Sequence, residues 1–303
     1  MKKVLVTGAS GFMGIPVLNF LKQENAEIHV VTLKELKGSS IDLYNGISVQ
    51  EHFADLLDLH DIGILLDEVK PEFFLHLAWE TQHIACLQSI NNLRWLAAGQ
   101  HMLIKFLENG GKRFVSVGTC FEYNLSQAFL PETSLQESES LYGLSKNCFY
   151  KTAAKFCREY GISYACARPF YLFGPNDKSG KAVAYAIGNF LRGEEVVCNT
   201  GAAVRDYMYI NDCAEALVKL LFSHIEDAVN IASGKPVLME ELFKKIAILT
   251  GCETLLTVKN DADKYPVVLA DVTRMKNELL YTPRHSLDDG LQKTLEWYRG
   301  NQN

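Results

Sequence analysis

Three things are scarce in this chain of 303 residues, and each scarcity removes a class of protein. Paired cysteine is the first. The eight cysteines (Cys86, Cys120, Cys148, Cys157, Cys166, Cys198, Cys213 and Cys252) include no Cys-x-x-Cys, and most lie among apolar neighbours. A zinc site or a disulfide framework needs paired spacing, so no metal is expected and the cysteines read as small hydrophobes. Excess positive charge is the second: Lys and Arg number 30 against 36 Asp and Glu, a net charge of −6. The basic residues are scattered, so no nucleic-acid partner is expected. The third is a long apolar run. None approaches the roughly 20 residues of a membrane span, and Met1-Lys2-Lys3 leads straight into a strand. A cytoplasmic protein is expected. Hydrophobic residues at 48% and charged residues at 22% suit one large α/β domain or two smaller ones with ample core.

What is present starts with an apolar strand, Lys3 to Thr7, that runs into Gly8-Ala9-Ser10-Gly11-Phe12-Met13-Gly14 and then a helical pattern from Ile15 to Lys22. Strand, glycine-rich turn and helix form the setting in which backbone approaches a pyrophosphate and a helix N-terminus offers free N–H groups. The spacing is Gly-x-x-Gly-x-x-Gly, and dinucleotide binding is the expectation. Glu27 to Leu33 reads as the second strand. Its end carries Thr32 where NAD-binding sheets commonly place a carboxylate for the adenosine ribose. With Lys34 and Lys37 following, this leans towards NADP with NAD possible, although both lysines could equally be solvated loop residues. Residues 47–54 read as a third strand ending at Asp55, which could accept the adenine amino group or cap the next helix. The run Glu72 to Ala78 has the continuous apolarity of a buried parallel strand, and His76 within it reads as a core histidine.

A helix over 92–109 ends at Gly110-Gly111, and Arg113 to Val117 delivers Gly118-Thr119-Cys120-Phe121-Glu122 to a carboxyl strand end, where open α/β sheets bind ligands. Next comes Leu141-Tyr142-Gly143-Leu144-Ser145-Lys146. On a helix, Tyr142 and Lys146 share one face, and a cation beside a phenol stabilises the phenolate, making a proton donor and acceptor. The strand Ile162 to Arg168 follows. Such alternation predicts a Rossmann-type, doubly wound parallel sheet over 1–168, with a returning strand near 228–232. Residues 169–303, less regular, are expected to be mainly a smaller substrate-binding lid.

Taken together these pieces resemble the extended short-chain dehydrogenase/reductase family, the group acting on nucleotide-activated sugars. The likeness is carried by Thr7-Gly8-Ala9-Ser10-Gly11-Phe12-Met13-Gly14, Asp55-Leu56, His76-Leu77-Ala78, Thr119, Tyr142 with Lys146, Arg168-Pro169, Gly174-Pro175 and Arg205-Asp206-Tyr207-x-Tyr209-Ile210-x-Asp212. The tail from Ala270-Asp271 to Trp297-Tyr298 is similar too. The resemblance implies Tyr142 as acid/base, Lys146 on the nicotinamide ribose and Thr119 as hydrogen-bond donor to the substrate oxygen. It implies cofactor contacts at Gly8, Ser10, Gly11, Phe12, Met13, Gly14, Thr32, Lys34, Asp55, Leu56, Leu77 and Ala78. Substrate contacts are implied at Trp79, Cys120, Phe121, Asn176 and Arg205, besides Thr119 and Tyr142. Arg205 would meet the nucleotide diphosphate, the alternative being a salt bridge to Asp206 or Asp212. A homodimer through the helices near 92–109 and 141–160 is implied as well.

Departures from the family pattern narrow the activity. Dehydratases follow the catalytic Thr with Asp-Glu, where this chain has Cys120-Phe121. The epimerase-reductases that make GDP-fucose need a Cys two residues after the catalytic Ser and a His after Gly-Pro, where Phe121 and Asn176 stand. Tyr171 replaces a common Asn, and Trp79 a common small residue. The expectation is NADPH-dependent reduction of a nucleotide-4-keto-6-deoxy sugar, with a 4-epimerase retaining NAD, or a non-catalytic dinucleotide sensor, as alternatives.

Overall fold

The computed structural model describes residues 1–33, 44, 46–81, 85–177 and 180–301. In chain order the elements are β1 (Lys2–Thr7), α1 (Gly14–Leu21), β2 (Ala26–Thr32), β3 (Gln50–Phe53), α2 (Leu59–Val69), β4 (Phe73–His76), α3 (Asn91–Glu108), β5 (Arg113–Val117), β6 (Phe129–Leu130), α4 (Leu141–Tyr160), β7 (Ser163–Pro169) and β8 (Tyr171–Phe173). They continue with α5 (Ala182–Leu191), β9 (Val196–Cys198), β10 (Val204–Tyr209), α6 (Ile210–Leu221), β11 (Asp227–Ile231), β12 (Pro236–Leu238), α7 (Met239–Thr250), β13 (Leu256–Val258), β14 (Val267–Ala270), α8 (Thr273–Asn277) and α9 (Leu287–Gly300). Among the described residues no helix is long and apolar enough to cross a membrane.

Two compact units result. The first takes Met1–Glu122, Gln136–Arg168 and Ala214–Val229. Its strands lie in one sheet of seven, ordered β11-β7-β5-β4-β1-β2-β3, with parallel pairing from β7 through to β3. This is the Rossmann-type sheet expected. The order reverses between β1 and β4, and the crevice beyond the carboxyl ends of those two strands is where such sheets bind ligands.

Side-chain alternation assigns the two faces. Leu5, Phe74 and Phe114 point to one side and pack with Ile62 and Leu66 of α2, Met102 and Phe106 of α3, and Phe149 and Cys157 of α4. Phe73 points the other way and meets Phe222, just past α6, with ring centroids 5.4 Å apart. Local chemistry sets the helix ends. Asp58 caps α2 by accepting the His60 N–H at 2.9 Å. Ser140 caps α4 through the Gly143 N–H at 3.0 Å, and Gly161, at φ +71°, closes its other end.

The second unit takes Tyr123–Leu135, Pro169–Cys213 and the chain from Asn230 onward. Its sheet runs β12-β10-β14-β6, with β8 also on β10, and a separate parallel pair joins β9 to β13. Asp206 is fully buried in β10 and accepts from the Ser233 N–H at 2.9 Å, the Ser233 hydroxyl at 2.6 Å and the Gly234 N–H at 3.0 Å. The conspicuous Asp of the Arg205-Asp206-Tyr207 motif is therefore a fastener for the turn before β12.

Candidate active site

Three side chains meet beside the carboxyl end of β5. Tyr142 and Lys146 lie on one face of α4, both buried, with the Lys146 Nζ 6.0 Å from the phenol ring centroid. Thr119, in the loop after β5, is buried close to the Tyr142 phenol and favours its ionised form. Lys146 donates to the Val117 carbonyl at 2.7 Å, which ties the helix face to the strand end.

Thr119 is held from behind. The segment Cys120–Glu122 is a turn of 3-10 helix rather than extended chain, and it folds Glu122 inward to complete burial. One Glu122 oxygen accepts the Thr119 N–H at 2.9 Å; the other accepts from Arg168 Nε at 2.8 Å, with both side chains wholly inaccessible. A side chain on Gly118 would place its Cβ 2.1 Å from Glu122 Oε1, and one on Gly143 would lie 2.1 Å from the Phe121 carbonyl oxygen. Glycine at both positions is what lets α4 approach the Thr119 turn this closely.

Burial governs the protonation of the pair. The Tyr142 phenol is pushed up by desolvation, with Thr119 working in the opposite direction. The Lys146 ammonium is pushed down to about 7, again by desolvation.

The glycine turn lies at the switch point. Gly8 sits at φ +71°, and a Cβ there would come 2.8 Å from the Ala78 N. A Cβ on Gly14 would lie 2.1 Å from the Ala9 carbonyl oxygen. Ser10 and Gly11 are exposed, while Phe12 and Met13 are half-buried ahead of α1. This cradle of exposed backbone at a helix N-terminus fits a pyrophosphate. Leu77 and Ala78 continue from β4 against it, and Thr7 hydrogen-bonds His76 Nδ1 at 2.8 Å. Asp55 spends one carboxylate oxygen on the Leu57 N–H at 2.8 Å and is not the cap of α2, which is Asp58. Leu56 beside it is buried.

One expectation needs correcting. The end of β2 does not lack a carboxylate: parallel pairing brings β3 alongside, and the buried Thr32 hydroxyl donates to Glu51 Oε1 at 2.5 Å. The Tyr44 hydroxyl is also 2.5 Å from Thr32 Oγ1. Sequence reading missed Glu51 because it is remote from Thr32 in the chain and only strand register joins them. Lys34 and Lys37 lie outside the described residues.

Of the residues assigned to substrate, Trp79, Cys120 and Phe121 belong to the first unit. Phe121 meets Tyr142 edge-on at 6.5 Å, and Cys120 is buried. Trp79 is buried beside Lys146, and its indole N–H donates to Asn92 Oδ1 at 2.9 Å. Asn92, not singled out from sequence, is fixed in turn by the Cys86 and Ser89 carbonyls. Asn176 and Arg205 belong to the second unit. Asn176 takes a left-handed turn at φ +63°. Arg205 pairs with neither Asp206 nor Asp212: it meets Asp263 at 2.6 Å and the Tyr265 carbonyl at 2.8 Å. Asp212 instead holds His285, at 2.9 Å from Nδ1.

A seven-stranded Rossmann sheet with a glycine cradle at its switch point, and Thr, Tyr and Lys gathered at the next strand end, defines an NAD(P)-linked short-chain dehydrogenase/reductase of the extended type. The chain belongs to the NAD-dependent epimerase/dehydratase family, whose family model matches residues 4–232. It is 29% identical to GDP-L-fucose synthase 1 of Arabidopsis thaliana, an alignment covering 99% of this chain and 94% of that protein. With dTDP-glucose 4,6-dehydratase of Neisseria meningitidis serogroup B the identity is 23%, over 100% of this chain and 94% of the other. Among solved structures, UDP-glucose 4-epimerase of Thermotoga maritima, crystallised with UDP-glucose, superposes with a TM-score of 0.87 at 25% identity, covering 99% of this chain and 100% of that one.

Proposed function

We propose that this protein is an enzyme acting on a nucleotide-diphosphate sugar, and that it reduces a 4-keto-6-deoxy sugar to the 4-hydroxy sugar. The observation that carries the reading is the gathering of buried Thr119, Tyr142 and Lys146 at the carboxyl end of β5, with the Lys146 Nζ 6.0 Å from the Tyr142 ring centroid. A phenol so placed is suited to give a proton to an alkoxide as it forms. NAD(P)H, when bound, supplies the hydride. Tyr142 donates the proton, Thr119 steadies the developing oxyanion and Lys146 supplies positive charge beside the phenol. The turn from Gly8 to Gly14, with Asp55, Leu56, Leu77 and Ala78, would hold the dinucleotide. In the first unit Trp79 and Phe121 would contact the sugar; in the second, Asn176 would be a substrate contact and Arg205 would take the diphosphate.

Dehydration is disfavoured because, among the described residues, the turn after Thr119 offers no carboxyl group free for it. Glu122, the one acid in the turn after Thr119, is wholly buried in its pair with Arg168. The likeness to GDP-L-fucose synthase does not extend to double epimerisation, since Phe121 and Asn176 stand where that chemistry needs Cys and His.

Cofactor choice turns on Thr32 and Glu51. Thr32 with Lys34 would admit a 2′-phosphate and NADP(H). The Glu51 carboxylate, one hydrogen bond away, opposes a phosphate and suits ribose hydroxyls. On this observation NAD(H) is the better fit, and it favours a second reading, a 4-epimerase that retains NAD. A homodimer through α3 and α4 is part of the same proposal; Leu93 and Ile104 on α3, and Leu144 and Tyr160 on α4, are exposed.

The test supplies nucleotide-4-keto-6-deoxyhexoses with each reduced cofactor and follows absorbance. Stoichiometric cofactor oxidation is expected of the reductase. Interconversion of two 4-hydroxy sugars without net cofactor use would replace it with the epimerase.

A further inference from the structure

The Lys146 ammonium is buried with little to stabilise its charge. Among the described residues its recorded hydrogen-bond acceptor is the Val117 carbonyl, at 2.7 Å, and it lies 4.0 Å from the centroid of the Trp79 ring. Among the described residues, Glu122 and Cys166 favour the ammonium from nearby without a direct hydrogen bond to it. Glu122 is spent on Arg168 and the Thr119 N–H. Cys166, on β7, is pushed up to about 12 by burial, and Tyr142 is raised too. His76, on β4, is pushed down to about 3 by burial and by Lys146 itself, so it carries no competing charge near neutrality.

Of the two aromatic faces recorded near the Nζ, the indole is the nearer, at 4.0 Å against 6.0 Å for the Tyr142 ring, and it is held in place. Its N–H donates to Asn92 at 2.9 Å, and its ring stacks on Trp95 at 6.2 Å with planes 26° apart. Asn92 is anchored by the Cys86 carbonyl at 2.7 Å and the Ser89 carbonyl at 2.9 Å. A desolvated ammonium near an indole face is among the stronger cation–π arrangements.

We propose that Trp79 is the positioning residue of Lys146: its fixed indole face keeps the ammonium charged and aimed at the Tyr142 side of the strand end. The large residue that departs from the family pattern is then an electrostatic part of the site and not only a wall of the sugar pocket. This rests on Lys146 as the charge beside Tyr142.

The test is direct titration of Lys146 in the folded protein, by NMR of ¹³C-labelled lysine, with its resonance assigned from its loss in Lys146→Met. In Trp79→Leu the Lys146 midpoint should fall by about one pH unit relative to wild type. Leucine also changes packing, so a second arm keeps the shape and grows the wild-type sequence on fluorotryptophan, which drains electron density from the ring. There the midpoint should fall in the same direction by a smaller amount. An unmoved midpoint in the fluorotryptophan protein overturns the proposal, even if Trp79→Leu shifts it, because packing alone would then be responsible. Should Trp79→Leu fail to fold, the fluorotryptophan arm decides. Turnover of Lys146→Met is measured in parallel. Full activity there would remove the catalytic reading while leaving the titration result intact.

Discussion

Glu51 is a carboxylate on the strand beside the end of β2, where sequence reasoning found none. Its hydrogen bond from Thr32 places a negative charge where an adenosine ribose is read in such sheets. At this range a charge opposing a phosphate is worth about 1–4 kcal/mol in partly solvated surroundings, enough to decide between cofactors. Glu51→Gln removes the charge and keeps a hydrogen-bonding group. The ratio of NADPH to NADH affinity should rise by about tenfold, read by fluorescence titration of both reduced cofactors. A wild-type protein that already prefers NADPH, with a ratio Glu51→Gln leaves unchanged, would contradict the role given to this residue. Glu122 teaches the same lesson inside the active site. In sequence it is one more polar residue at the strand end after Thr119; in the fold it is buried against Arg168. Removing one partner from such a pair leaves a buried charge uncompensated, which is why a residue so near the chemistry serves as its support.

At the scale of elements, the joint between α4 and the 3-10 turn at Cys120–Glu122 sets the site. Gly143 makes that joint possible: a Cβ there would meet the Phe121 carbonyl oxygen at 2.1 Å and the Ser138 hydroxyl at 2.3 Å. Gly143→Ala must push the helix off the turn, costing about 1–3 kcal/mol by overpacking. It should also cut turnover through the stretched Thr119–Tyr142 contact. Thermal melting and kcat measured together check this; a variant with wild-type values of both would show that the joint has slack. Element by element, α4 was legible in the sequence because Tyr142 and Lys146 stand at helical spacing. The 3-10 turn was not, because its shape follows from the Glu122–Arg168 pair, a contact between distant segments.

Over the whole molecule, the sequence disclosed the parallel sheet far better than the second unit. Short segments rich in apolar residues such as Phe73–His76 and Arg113–Val117 announce buried strands, and the glycine turn fixes which comes first. The second unit's sheet is assembled from pieces as short as Phe129–Leu130 and Tyr171–Phe173, too brief for any period to register. Thr119, Tyr142 and Lys146 were readable as a set, whereas Asn92 and Glu51 enter only through tertiary packing. The sheet sets the frame, and its strand ends carry the proposed chemistry: proton transfer from a buried Tyr142 to a reduced carbonyl. The most direct measurement is single-turnover oxidation of the reduced cofactor by a nucleotide-4-keto-6-deoxyhexose, wild type against Tyr142→Phe, with cofactor affinity checked in both. The account predicts stoichiometric oxidation by wild type and a rate lower by about 10²–10⁴-fold in Tyr142→Phe, with cofactor binding retained. A Tyr142→Phe protein that oxidises the cofactor at the wild-type rate would contradict it.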